Sequence, residues 1–246
     1  MTLEDVFRAA EHNVSAKRKN DRPKAQCLWP SEFAKPSPDS AYEFVRLCQT
    51  WDEAGRQVRS FPDKEYLRLV CKEWVECRLS GRPLIIEKSR RLVTSWVLRA
   101  LELYDGGQTR GNQLITHTKR DDAAGHVWRI FWLYENLRLR FPDWDLKPPM
   151  KYGNELTQTL DLLVLPNETK ISQYYEQPKG LQGSGYSIVT MEEFSIYKQP
   201  AGMYDQASRL VQSPPGLPNG LIVGVTNYEF SDSYEMVIAG ASPSPY

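Results

Sequence analysis

From Pro62 onward the apolar positions alternate between two periods. In Lys64–Ser80, Leu67, Val70, Cys71 and Trp74 recur at helical spacing. Asp63 after Pro62 is placed to cap this helix and Gly81 to stop it. Pro83–Ile86 (PLII) is then a short apolar run and reads as a buried strand. Val93, Trp96, Val97, Ala100, Leu101 and Tyr104 return to the helical period, and Asp105-Gly106-Gly107 is expected to end that helix. Asn112–Thr118 (NQLITHT) predicts the next strand. Ala124, Val127, Trp128 and Phe131 mark a helix reaching about Arg140, closed by Phe141-Pro142. Leu160–Leu165 and Thr169–Tyr175, split by Pro166-Asn167-Glu168, read as a β-hairpin. Tyr186–Met191 and Leu221–Thr226 are two further buried strands.

Strands alternating with helices predict an α/β fold, a largely parallel sheet flanked by helices. In such sheets ligands sit at the carboxyl ends of the strands. Residues 1–61 read as an N-terminal accessory region or linker. It contains the basic Val14–Lys24 stretch, either a solvated tail or a DNA contact, and the Pro- and Ser-rich Pro30–Ser40 segment, expected to be linker or loop. Residues 62–240 form the regular domain, and 241–246 a loop-like tail.

A chain of 246 residues with 41% hydrophobic content can bury one large core. Its 31 basic and 31 acidic residues balance, so nucleic-acid contact would have to come from local patches such as Lys17–Lys24 or Lys147–Lys151. Cys27, Cys48, Cys71 and Cys77 lack CxxC or zinc-type spacing and are expected to be reduced thiols in a cytoplasmic protein. No signal peptide and no apolar run near the ~18 residues of a membrane span is visible, so the expectation is a soluble protein.

The candidate chemistry lies at strand ends. EKSRRLVTSW (Glu87–Trp96) links the PLII strand to a helix, the position of a phosphate-binding loop. Lys88, Arg90 and Arg91 supply charge, Ser95 the hydroxyl for a magnesium shell, and Thr94 stands where a lysine is usual. Val93 takes a place where glycine commonly allows a tight turn, and a β-branched residue there resists positive φ. About a hundred residues on, Glu192 and Glu193 follow an apolar strand. Such a pair is either an exposed acidic loop, or a magnesium-holding carboxylate (Glu192) beside one that orients the attacking water (Glu193). Thr226 and Asn227 close the last strand, as a turn or as a polar γ-phosphate sensor.

In this order the motifs resemble the ATPase domain of the large terminase subunit, the DNA-packaging motor of tailed phages. The deviant Walker A of that family, K-S-R-R-x-G-x-[ST]-W, is matched by Lys88-Ser89-Arg90-Arg91-Leu92-Val93-Thr94-Ser95-Trp96 except at Val93. YSIVTMEEF resembles its Walker B and catalytic glutamate, with Glu192 in place of aspartate. GVTNYEFSDSYE (Gly224–Glu235) is similar to its coupling motif, which maps coupling onto Thr226 and Asn227. PKGLQGSG (Pro178–Gly185) sits where relatives carry an Arg-Gly loop, with Lys179 and Gln182 but no arginine.

The resemblance spans about Asp63 to Ile238. It implies a P-loop NTPase-like (ASCE/RecA-like) fold, ATP and Mg2+ bound between residues 88–95 and Glu192–Glu193, and hydrolysis driving double-stranded DNA into a procapsid. It also implies a homo-oligomeric ring on a portal protein, fed by a small terminase subunit in the host cytoplasm, with no membrane. Arg120, Arg129, Arg138 and Arg140 are candidates for an arginine finger. The nuclease domain of the family is expected to be absent. Two alternatives stay open: a catalytically weak or inactive module that binds nucleotide, DNA or packaging partners, and a helicase-like ATPase.

Overall fold

The computed structural model describes residues 27–52, 55–88, 93–152, 161–176, 185–213 and 219–227. Five α-helices lie in these stretches: α1 (Pro38–Leu47), α2 (Glu65–Ser80), α3 (Thr94–Gln108), α4 (Arg120–Arg140) and α5 (Pro200–Leu210). The strands are β1 (Gln49–Asp52), β2 (Gln57–Ser60), β3 (Leu84–Lys88), β4 (Asn112–His117), β5 (Lys151–Tyr152), β6 (Leu162–Val164), β7 (Lys170–Tyr175), β8 (Ile188–Met191) and β9 (Leu221–Asn227).

Strands β1 and β2 make a small antiparallel ribbon, and the other seven form one sheet in the order β3-β9-β8-β4-β7-β6-β5. Every pair from β3 to β7 is parallel; β6 and β5 add an antiparallel edge. The side-chain period of two divides the core. On β4 and β8, Ile115 and Ile188 join the large core with Val97, Leu101, Val127 and Phe131 of α3 and α4. Their neighbours Leu114 and Val189 face a second core with Met203 and Ala207 of α5. The result is a three-layer α/β fold, consistent with the P-loop NTPase-like architecture.

Local chemistry explains where the elements differ from expectation. The first residue outside α2 is Lys64, which makes no side-chain cap; Asp63 instead accepts from Tyr42 Oη at 2.5 Å. Gly81 ends α2 as expected, at φ 74, where a side chain would be strained. Helix α3 does not stop at Gly106-Gly107 but runs through them to Gln108. The reason is packing: a Cβ on Gly107 would lie 2.0 Å from the Trp29 ring, whose Nε1 donates to Tyr104 O at 2.7 Å. That same contact folds the Pro30–Ser40 segment onto the core rather than leaving it a linker. Residues 31–33 form a 3-10 turn, Ser37 caps α1 through Ser40 N, and Trp29, Phe33 and Phe44 are buried. The 166–168 hairpin turn holds, with Glu168 in the left-handed region.

The four cysteines are free thiols. Burial pushes the Cys71 thiol up to about 12 and Cys48 higher still, so both are inert neutral groups. Among the described residues no helix is long and apolar enough to cross a membrane.

Candidate functional site

Four strand ends meet along the carboxyl edge of the sheet. The ladder sets Lys88 beside Asn227 and Glu87 beside Thr226. Met191 is level with Gly224 on one side and Thr116 on the other. Glu192 leaves β8 just beyond, its N–H bonded to Thr116 O at 3.0 Å. Lys88, Thr226, Glu192, Glu193 and His117, distant in sequence, therefore share one edge. Ser89, Arg90, Arg91, Leu92, Lys179, Gln182, Lys17–Lys24 and the Asn227 side chain lie outside the described residues.

Helix α3 starts beside this edge. Val93 is its N-cap at φ −70, so the β-branched side chain avoids the positive φ it resists and is unstrained. Val93 offers no side-chain acceptor, and the first turn holds no acidic residue. The positive end of a 15-residue helix is thus left without an anionic partner from its own chain's cap. Thr94 is buried, and Ser95 and Trp96 are half-buried.

The two glutamates point to different surroundings. Glu193 has φ 52, and this left-handed residue breaks the strand direction before the Phe194–Ile196 turn. Glu192 is 1% exposed, whereas the Glu193 side chain is 38% exposed. Glu193 Oε2 lies 3.4 Å from His117 Nε2. The backbone N–H of Lys119 donates to His117 Nδ1 at 3.2 Å, so a neutral His117 carries its proton on Nε2, toward Glu193.

Glu192 belongs to a buried charge cluster. Arg99, fully buried on α3, donates from Nη2 to Glu102 Oε1 at 2.8 Å and brings Nε within 2.7 Å of Glu102 Oε2. That second approach is off the hydrogen-bonding direction, and Nε and Oε2 make no hydrogen bond. Arg99 Nη2 also lies 3.3 Å from Glu192 Oε1, again without a hydrogen bond. Thr190 Oγ1 donates to Glu102 Oε1 at 2.5 Å. Burial pushes the Glu102 carboxyl up to about 7 against the opposing pull of Arg99. His126 Nδ1 is 3.9 Å from Glu192 Oε1; burial and then the Arg99 and Arg129 charges hold this imidazole well below its usual range, so it is neutral.

Thr226 is buried and bonds through its hydroxyl to Ser195, in the turn that follows Glu193. The end of β9 is thereby tied to the glutamate turn. Of the four arginines, Arg120 pairs with Asp161 at 2.9 Å, Arg138 with Glu135 at 2.6 Å, and Arg140 donates to Leu47 O at 2.7 Å. Arg129 lies 3.1 Å from His126 Nδ1 and stacks over the Trp96 ring, next to Ser95. Lys147 pairs with Asp145 on the surface.

Arg99, Glu102, His117 and Ser195 join the site without a motif that marks them in the sequence. A signal existed for the first two. Residues Val97 to Gly107 are buried on all sides of α3, so charges inside that run must meet partners in the interior. Nothing in the sequence marks Ser195.

The residues suit a polyphosphate with a divalent cation. Lys88 and the uncapped helix end offer positive potential to an anion. The buried Glu192 Oε1, which makes no hydrogen bond, is the acceptor a cation would satisfy. Lys88 and Ser95 would hold the phosphates and the cation's shell, and Glu193 is exposed enough to meet water.

No protein-family model and no curated protein matches the chain. Among solved structures, the crystal structure of the HK97 bacteriophage large terminase is similar at TM-score 0.58 and 12% identity, over 84% of this chain and 41% of that one. The chain spans less than half the length of that terminase. At this identity the likeness concerns the fold.

Proposed function

We propose that the chain is a terminase-like ATPase module that hydrolyses ATP with Mg2+ to translocate double-stranded DNA. The observation that carries this reading is the meeting of three sequence-distant segments on one sheet edge: Lys88 before an uncapped helix, the Glu192–Glu193 turn, and Thr226. Phosphoryl transfer needs mainly positioning and charge neutralisation. Lys88 and the α3 end, with Ser89, Arg90, Arg91 and Leu92, would cradle the phosphates, Ser95 and Glu192 would hold Mg2+, and Glu193 would orient water with His117 beside it. Thr226, through Ser195, and Asn227 would couple the phosphate end to the glutamate turn. DNA contact would be directed at the backbone and sensitive to salt. On the same reading the partners are a portal protein, a small terminase subunit and further copies of the chain in a ring.

The test is steady-state ATP hydrolysis with Mg2+, with and without double-stranded DNA, against Glu193→Gln. Turnover that falls at least ~100-fold in the variant is expected, since it loses the group that orients water. Equal turnover in both proteins would refute the assignment. One observation favours a weak or inactive binding module instead: Arg99 already sits 3.3 Å from Glu192, where a guanidinium opposes a cation. That reading predicts nucleotide binding without turnover.

A further inference from the structure

The buried charges on α3 do not balance where Glu192 lies. Arg78 faces Asp105 and Arg138 faces Glu135, one cation to one carboxylate. Arg99 instead faces two, Glu102 and Glu192, all three being 2% exposed or less in their side chains. A buried carboxylate is costly unless it is paired and hydrogen-bonded, and here one guanidinium is divided between two of them.

The short contacts show how Arg99 divides itself. Its hydrogen bond goes to Glu102, which Thr190 also supports, while Glu192 receives only the 3.3 Å approach. Glu192 Oε1 and Arg99 Nη1 are both buried and without a hydrogen bond. Glu192 is thus held near a cation but not satisfied by it.

We infer that Arg99 is the resident counterion of Glu192 and that Glu102 draws it aside, so that the Arg99–Glu102 pair sets the cation affinity of Glu192 without touching the cation. This rests on the proposed role of Glu192 in holding Mg2+. Glu102 compensates the guanidinium, which leaves Glu192 free to accept a second positive charge. Without that compensation Arg99 turns to Glu192 and repels any cation there. Arg99 and Glu102 are positioning residues on this account.

The test measures Mn2+ binding in the presence of saturating ADP, from the loss of the free-ion electron paramagnetic resonance signal. It is run at pH 8. Glu102→Gln keeps the shape and the hydrogen bond to Arg99 and is expected to weaken Mn2+ binding about tenfold, the scale of outer-shell changes at metal sites. The double variant Arg99→Gln/Glu102→Gln removes the repelling charge as well and is expected to recover wild-type affinity or exceed it. Circular dichroism melts establish that each variant is folded. Unchanged affinity in Glu102→Gln, or a double variant as weak as the single, overturns the inference and leaves Glu102 a structural residue. Wild-type affinity in Glu192→Gln, or no Mn2+ binding by the wild type, instead overturns the role of Glu192 itself.

Discussion

Two buried arginines engage helix α3, Arg78 through Asp105 near its carboxyl end and Arg99 from within it, and they are built differently. Arg78 donates to Asp105 at 2.8 Å and, from its other terminal nitrogen, to Ser187 O and Asn219 O at 2.7 Å each. It ties α2 and α3 to the amino ends of β8 and β9, and its charge is matched. Arg99 lies at the carboxyl end of β8, faces two carboxylates and leaves two of its nitrogens without hydrogen bonds, where Arg78 leaves only Nε. A matched, well-bonded pair holds elements together. An unmatched cluster at the carboxyl end of a parallel sheet is what the proposed cation site draws on.

The contrast predicts a graded set of effects. Arg78→Ala leaves Asp105 buried and unpaired and two carbonyls without donors. It should lower stability by about 3–5 kcal/mol, read from urea unfolding. A loss within 1 kcal/mol would mean that the matched end is not structural.

Glu102→Gln should act through pH. The folded pKa of Glu102 is raised from 4.5 to about 7, so protonated Glu102 is the form the fold prefers. Its contribution is fully present below about 4.5 and is lost as pH rises through about 7. Relative to Glu102→Gln, the wild type should lose on the order of 3 kcal/mol across that window. Urea midpoints of the two proteins at pH 5 and pH 7.5 check the sign, and parallel pH profiles would contradict it.

Gly107→Ala should cost about 1–3 kcal/mol by overpacking, because its Cβ meets the Trp29 ring at 2.0 Å. Trp fluorescence should report the displaced ring. Arg209→Ala breaks only the exposed pair with Asp205 and should stay within about 0.5 kcal/mol of wild type in the same urea experiment.

Periodicity made most of the fold legible. The strand at PLII, the helix to Arg140 and the hairpin around Pro166-Asn167-Glu168 follow from local pattern, and all are present. What failed were readings that depend on remote contact. Gly106-Gly107 looked like a stop, but the glycines make room for Trp29, some eighty residues away in sequence. The proline-rich 30–40 segment reads as linker or loop, and part of it is loop; that it packs on the core is not legible because its anchors, Trp29 and Phe33, find that core only in three dimensions. At the site, charge types at strand ends could be read, and the register brings those ends together. The counterions could not be read in the same way. Arg99 and Glu102 hide in an apolar helix, and His117 meets Glu193 only through the adjacency of β4 and β8.

The central claim is that the carboxyl edge at Lys88, α3 and Glu192 is a nucleotide-phosphate site. Its most direct test is isothermal titration of a slowly hydrolysed ATP analogue with Mg2+ into the wild type and Lys88→Ala. The account predicts one nucleotide per chain, with affinity reduced at least ~10-fold in the variant by loss of the phosphate charge. No binding by the wild type, or equal binding by Lys88→Ala, would contradict it.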